Sequence, residues 1–176
     1  MTARLLCKDG EVLEVPVALA SNSELIATII EDRGTDEDIL LDPVDKPTME
    51  KVIVFMEHMA EHSPPEIEKP LPSTDFSQVV GAWYADYVNI ETEKLFALVL
   101  AANYLDIKPL LELSCAKVAS DIKGRSVPEI RQYFNIENDF TPEEEERMIE
   151  ENRWAEEEFW AWAQAAVKIQ VLPNVA

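Results

Sequence analysis

The sequence predicts an α+β fold in which a short sheet packs against helices. Three observations lead to this prediction: a hairpin signal near the N-terminus, apolar residues at helical spacing over most of the chain, and helix-start signals that continue into its last third. A chain of 176 residues, of which 47% are hydrophobic, is long and apolar enough to bury a core. No internal repeat is present.

The N-terminal residues predict a small sheet. The run at 4–7 leads to Asp9-Gly10, a strong hairpin turn signal, and residues 12–15 return as a second strand. Residues 39–41 predict a short third strand, which stops at Asp42-Pro43.

Two helices are predicted in the first half of the chain. Ser21 followed by Glu24 fits a capping box, in which the two side chains satisfy backbone N–H groups at a helix start, so we expect a helix to begin there. Pro47 suits the first turn of the next helix. The proline-rich residues 63–77 then predict a flexible surface loop, after which Trp83 and Tyr87 are expected to be buried anchors.

Further helices are predicted after residue 90. One covers about 91–104, and its apolar set is Leu95, Phe96, Val99 and Leu100. Another runs from Pro109 to Gly124, a natural helix terminator. Ser126 with Glu129 repeats the capping-box pattern and begins a short helix.

The acidic segment near residue 141 has the pattern of a helix start. Thr141 is a good N-cap, Pro142 fits the first helical position, and the four glutamates at 143–146 lie where the helix dipole stabilises negative charge. These preferences explain the glutamate run without assigning it a function.

The formal charge of −20 limits the classes of partner. Such a charge repels nucleic-acid phosphates and anionic membranes, so we expect neither as a partner. No basic leader with an apolar core and no apolar run of membrane-spanning length is present. Cys7 and Cys115 are too few and too far apart for a disulfide framework or a zinc cluster, so we expect buried, reduced thiols in a protein of the cytoplasm and nucleus.

The best catalytic candidate is the segment from His58 to His62, which matches the zinc-protease pattern H-x-x-E-H with Glu61 as its carboxylate. Two histidines four apart on a helix can share a face and chelate zinc. However, the pattern lies at a helix end before Pro64, and the chain has no third histidine. We therefore expect no metal, no cofactor and no enzymatic activity, with a zinc metalloenzyme as a distant alternative.

Apolar residues after position 109 exceed what short helices bury among themselves. They either close into a core or line a groove that a partner's helices fill. The residues concerned are Leu110, Leu111, Val118, Ile122, Ile130, Phe134, Ile136, Phe140 and Trp154.

Several segments resemble those of one family. LFALVLAANYLDIKPLLELSCAKVASDIKG begins at Leu95 and is followed by PEIRQYFNIENDFTPEEEE and ENRWAEE, while DGE at 9–11 and the helix near Ser21 add a weaker N-terminal likeness. Together they resemble the Skp family, the adaptors that join an F-box protein to a cullin in SCF ubiquitin ligases. The resemblance implies a BTB/POZ-type core over 1–124, and C-terminal helices over 125–158 that form an F-box-binding groove.

The same resemblance implies two binding surfaces. Asn103 and Tyr104 would face the cullin, although packing at a helix end is a structural alternative. The F-box set would be Leu95, Phe96, Leu111, Val118, Ile122, Ile130, Phe134, Ile136, Phe140, Asn152 and Trp154. In some protist relatives a proline in the NDFTPEEE context is hydroxylated and then glycosylated, which would make Pro142 a modification site.

The chain departs from the family pattern at its end. Residues 159–176 form an atypical apolar tail in which Trp162, Ala166, Ile169 and Leu172 share a face at helical spacing. The tail is expected to pack onto the chain, enter the groove, or drive self-association through residues 159–172. The alternative is that the tail is not native to the protein. A BTB-type scaffold or an elongin C-like adaptor outside SCF is the alternative function, although elongin C-like proteins lack the last two helices.

Overall fold

A computed structural model of the chain describes residues 1–73 and 75–153. Trp154 and the tail at 159–176, with its predicted self-association segment, lie outside those residues. The chain divides into two compact units, Met1–Tyr133 and Phe134–Ala176. The short helix that ends at Tyr133 therefore belongs to the first unit, beyond the boundary predicted at residue 124. The assignment of residues 125–158 to F-box binding stays a prediction.

The first unit begins with a three-stranded sheet whose order is β2-β1-β3. Strands β1 (Thr2–Cys7) and β2 (Val12–Pro16) pair antiparallel, and β1 also pairs in parallel with β3 (Ile39–Leu41). Gly10 has a φ of 80°, a left-handed value that glycine adopts without strain, at the turn between β1 and β2. The predicted strands and the turn are confirmed.

The predicted helices are present in the predicted order, together with three short helices that the sequence pattern does not predict. Their bounds are α1 Val17–Ala20, α2 Glu24–Arg33, α3 Lys46–Glu61, α4 Phe76–Val80, α5 Ala82–Val88, α6 Thr92–Tyr104, α7 Lys108–Ile122 and α8 Val127–Tyr133. The helices α1, α4 and α5 are not predicted by the sequence pattern, because four to seven residues are too few to show a helical period. The α+β fold class is confirmed.

The core of the first unit lies between the sheet and the long helices. Alternate β1 residues Ala3, Leu5 and Cys7 point inward, as the period of two in a strand requires. Phe55 on α3 is fully buried, and its ring lies 5.6 Å from the ring of Tyr87 on α5. The Tyr87 hydroxyl donates a hydrogen bond to the carbonyl of Lys51 (2.7 Å), so the predicted anchor joins α5 to α3.

The N-cap of α2 is Ser23 rather than Ser21. The Ser23 hydroxyl accepts a hydrogen bond from the backbone N–H of Ile26 (3.2 Å) and donates one to the carbonyl of Leu105 (2.6 Å). The predicted capping box of Ser21 and Glu24 is therefore wrong: the Ser21 hydroxyl donates to the carbonyl of Val17 in α1. Ser23 is fully buried, and its hydroxyl joins the start of α2 to the end of α6.

Three further expectations need correction. The predicted loop at 63–77 ends at Asp75, because the Asp75 side chain caps α4 and makes Phe76 and Ser77 helical. Cys7 is buried as expected, but Cys115 is exposed on α7. Trp83 is half-buried and stacks on His58, with ring centroids 3.5 Å apart.

The only two histidines of the chain also stack on each other. The ring centroids of His58 and His62 are 4.3 Å apart, and the two planes differ by 10°. Desolvation, followed by repulsion from His62, lowers the pKa of His58, and Glu61 opposes this shift. Protonation of His58 is therefore disfavoured in the folded state.

None of the helices within residues 1–73 and 75–153 is both long enough and apolar enough to cross a membrane.

The first prediction concerns the buried serine. Replacing Ser23 with alanine should lower the free energy of unfolding by about 2 kcal/mol, because it removes an N-cap and leaves the Leu105 carbonyl buried without its donor. Urea denaturation measures the change. The control Ser21→Ala, at an exposed position, should change it by less than about 0.5 kcal/mol. An equal loss of unfolding free energy in the two variants would contradict the assignment of Ser23 as the N-cap of α2.

The second prediction concerns the pH dependence of the histidine stack. The His58 imidazole should titrate below its ordinary pKa of 6.5 in an NMR titration, and His62→Gln should raise its pKa. Because the folded state disfavours the imidazolium, the unfolded chain binds the proton first as pH falls, so stability decreases below about pH 6.5. A His58 pKa at or above the ordinary value would contradict this interpretation.

Candidate protein-binding surfaces

The C-terminal end of α6 is fixed by its backbone. After Tyr104 the chain turns through Leu105 and Asp106, and Asp106 has a left-handed φ of 48°. The N–H of Ile107 donates to the carbonyl of Ala102 (2.9 Å), and the N–H of Asp106 donates to that of Asn103 (3.2 Å). These two bonds form a Schellman motif, which satisfies carbonyls that a helix end otherwise leaves unpaired.

This helix end alternates buried and exposed residues. Leu105 and Ile107 are almost fully buried, whereas Asn103 and Tyr104 are exposed. Leu100 lies one turn before Tyr104 on the same side of α6 and is 69% exposed. The structure thus brings an amide, a phenol and an isobutyl group to the surface at a rigid helix end.

Leu100 is the residue that the sequence interpretation missed at this surface. Its place in an apolar helix pattern predicts a core residue, yet its side chain faces outward beside Tyr104. The only sequence signal is its spacing of four from Tyr104, which becomes informative once Tyr104 is known to be exposed. An exposed tyrosine is typical of an interface anchor, and the exposed leucine beside it adds apolar area.

The predicted F-box residues of the first unit have different degrees of burial. Leu95 is 1% exposed and belongs to the core, so it is not available to a partner in this structure. The others are half-buried, so each packs on one side and presents its other side to solvent. They are Phe96 on α6, Leu111, Val118 and Ile122 on α7, and Ile130 on α8.

Tyr133 holds α8 against α6 and α7. Its ring meets the ring of Phe96 edge-on at 5.8 Å, and its hydroxyl donates to the carboxylate of Asp121 (3.1 Å). The guanidinium of Arg125 lies 4.9 Å from the centre of the same ring. Burial, followed by the charge of Asp121, raises the pKa of Tyr133 to about 12, so the hydroxyl remains a donor at neutral pH.

The short helix α8 also has the capping contact that its sequence predicts. The Glu129 carboxylate accepts hydrogen bonds from the backbone N–H (2.8 Å) and the hydroxyl (2.6 Å) of Ser126. These bonds lower the pKa of Glu129. The start of α8 is therefore fixed locally by Ser126 and Glu129, while Tyr133 fixes its end.

The second unit presents apolar side chains before and along its helix. Ile136 is 57% exposed and Phe140 is 40% exposed. A helix over residues 142–153 follows, and Met148 and Ile149 are exposed on it near Asn152. Met148 and Ile149 are not predicted as site residues from the sequence, because charged residues surround them and hide a helical period.

The start of this helix is a complete capping box. The N–H of Glu144 donates to the Thr141 hydroxyl oxygen (3.3 Å), and the N–H of Thr141 donates to the Glu144 carboxylate (3.0 Å). Hydrogen bonds from Thr141 lower the pKa of Glu144. Pro142 follows Thr141 at the first helical position and is exposed, so its ring is accessible.

The stacked histidines are poorly arranged for zinc. An imidazole binds a metal ion in the plane of its ring, and two nearly parallel, stacked planes offer no shared position for the ion. Among the described residues no group of three or more His, Cys, Asp or Glu side chains is placed to hold a metal. The geometry thus gives no support to the metalloenzyme alternative.

Two family models match the chain. The Skp1 family tetramerisation domain, a POZ domain, matches residues 2–61, and the Skp1 family dimerisation domain matches residues 108–155. The predicted BTB/POZ-type core is therefore confirmed. These matches favour neither an elongin C-like adaptor nor a BTB scaffold outside SCF.

Similar proteins come from distant organisms. The S-phase kinase-associated protein 1 homolog of Tetrahymena thermophila is 49% identical over 143 residues, which cover 81% of this chain and 86% of that protein. SKP1-like protein 1A of Arabidopsis thaliana is 43% identical, with 82% and 90% covered. The SCF ubiquitin ligase complex protein SKP1a of Dictyostelium discoideum is 39% identical, again with 82% and 90% covered. With this similarity over most of its length, the chain belongs to the Skp1 family.

Proposed function

We propose that the chain is a non-catalytic adaptor that holds a cullin and an F-box substrate receptor at the same time in an SCF ubiquitin ligase. The observation that carries the proposal is the rigid, exposed helix end of Asn103 and Tyr104, which is separate from the half-buried apolar side chains of α7. The relative from Dictyostelium discoideum is named as an SCF ubiquitin ligase complex protein, which supports the same role.

The cullin surface is proposed at the end of α6. Asn103 supplies hydrogen-bonding groups, while Tyr104 and Leu100 supply apolar area. The Schellman motif and the Ser23 hydroxyl already fix this backbone, so a partner that docks here does not have to order it. Pre-organisation of this kind raises affinity because less conformational entropy is lost on binding.

F-box contacts are proposed for each unit separately, from α6, α7 and α8 in the first unit and from residues after Tyr133 in the second. The residues concerned combine partly buried apolar side chains with exposed ones, which suits helices that dock through an apolar face. They are Phe96, Leu111, Val118, Ile122, Ile130, Phe134, Ile136, Phe140 and Asn152, with Trp154 outside the described residues.

An adaptor of this kind acts through geometry. When one rigid body binds two partners, each partner experiences a high effective concentration of the other. A substrate on the F-box protein is thereby kept near the enzyme that the cullin recruits. We propose that this takes place in the cytoplasm and nucleus, with Pro142 as an accessible modification site.

The third prediction separates the two surfaces. Asn103→Lys with Tyr104→Lys should weaken binding of a cullin N-terminal region at least tenfold, because it removes the phenol and adds two charges. Affinity for an F-box domain should stay within twofold. Ile136→Ser with Phe140→Ser should have the reciprocal effect. Isothermal titration calorimetry measures both affinities.

A matched control is available on the sheet. Val12 on β2 is 38% exposed, close to the 37% of Tyr104, so Val12→Lys adds a charge at a similarly exposed apolar position. It should leave both affinities unchanged. If the double lysine variant binds the cullin region as well as the unaltered chain does, the assignment of Asn103 and Tyr104 is wrong.

A further inference from the structure

A short segment between α3 and α4 lies along α7. We call Glu66–Leu71 the strap. The Lys69 ammonium pairs with the carboxylate of Glu112 (3.1 Å), and the Lys123 ammonium donates a hydrogen bond to the carbonyl of Leu71 (3.2 Å). Glu112 and Lys123 are eleven residues apart on or just after α7, which corresponds to about 16 Å of helix.

The strap and α7 do not fill the space between them. A cavity of about 550 Å³ separates the two, within the size range of sites that hold ligands or partner side chains. Its walls are mainly apolar: Ile67, Pro70 and Leu71 come from the strap, and Leu111, Cys115 and Ala119 come from α7. A partner that fills it would bury apolar surface on both sides at once.

Although the strap also carries Glu66 and Glu68, a lysine at the edge of the cavity can pair with a carboxylate on the partner. The chain carries a formal charge of −20, yet the cavity is edged by Lys69, Lys123 and Glu112. Lys69 is paired with Glu112, whereas the contact of Lys123 is to a carbonyl, which does not neutralise its charge. A carboxylate on the partner would complement Lys123.

The sequence of the strap makes it a stiff wall. Pro70 lies within it, and Pro65 and Pro72 flank it. Proline fixes φ, so these residues restrict the conformations that the segment samples before binding. A wall of this kind loses little conformational entropy when a partner enters the cavity.

We propose that the strap is a second wall of the F-box surface, and that apolar side chains of the F-box partner enter the cavity between the strap and α7 with a carboxylate beside Lys123. This inference rests on the proposed function. The cavity is continuous with the proposed F-box surface, because Leu111 belongs to both.

Two changes test the wall in the full chain. Ala119→Trp fills the cavity from the exposed side of α7 and should weaken binding of a purified F-box domain about tenfold. Ile67→Ser with Leu71→Ser removes the apolar side chains of the strap and should weaken binding of the F-box domain to a similar degree. The matched control Ala60→Trp places the same ring at an exposed alanine of α3, outside the cavity lining, and should have no effect.

Calorimetry with the F-box domain and with a cullin region distinguishes the outcomes. Weaker F-box binding by both variants, with cullin binding retained, supports the wall. If Ala119→Trp binds the F-box domain with unchanged affinity, the proposed wall is wrong, while the proposed adaptor function is unaffected. Tighter F-box binding by Ile67→Ser with Leu71→Ser would mean that the strap competes with the F-box domain for the cavity. That result would also overturn the proposed wall. If the unaltered chain binds no F-box domain, the proposed function fails and this inference fails with it.

Discussion

The hydrogen bond from the Ser23 hydroxyl to the Leu105 carbonyl joins two parts of the chain that are 82 residues apart. It links the start of α2 to the end of α6, where the Schellman motif through Asp106 turns the backbone back into the core. An uncompensated carbonyl in this buried position would cost about 1–3 kcal/mol, so the contact holds the helix end in one conformation. The outward direction of Asn103 and Tyr104 depends on this constraint.

The proposed F-box residues of α7 also depend on which side of the helix is buried. Leu110 and Leu113 on one side of α7 are fully buried, whereas Leu111 and Val118 keep part of their area on the other side. Tyr133 then holds α8 beside α6 and α7 through an aromatic contact and a hydrogen bond. The apolar residues that remain at the surface therefore rest on a packed first unit, which suits an adaptor that acts by positioning its partners.

Local signals predicted much of this fold from the sequence, and long-range packing decided the rest. Asp9-Gly10 favours a tight turn where it stands, and Pro47 favours the first turn of a helix. The hairpin and the start of α3 were therefore predictable from neighbouring residues alone. Ser21 has the better capping-box pattern in the sequence, because Glu24 follows it by three residues, yet Ser23 caps α2 and its hydroxyl also bonds to the distant Leu105 carbonyl. Periodicity likewise could not predict that Leu95 is buried and Leu100 exposed, because the choice depends on how α6 packs against α3 and α7. The family resemblance supplied the binding residues, which periodicity and spacing do not assign.

As an adaptor, one copy of this chain would bind a cullin and an F-box protein simultaneously. Analytical ultracentrifugation of the full chain with a cullin N-terminal region and an F-box domain tests this property. We expect a single complex that contains one copy of each protein. Two binary complexes that exchange but never combine would show that the surfaces are mutually exclusive, and would rule out the proposed adaptor role.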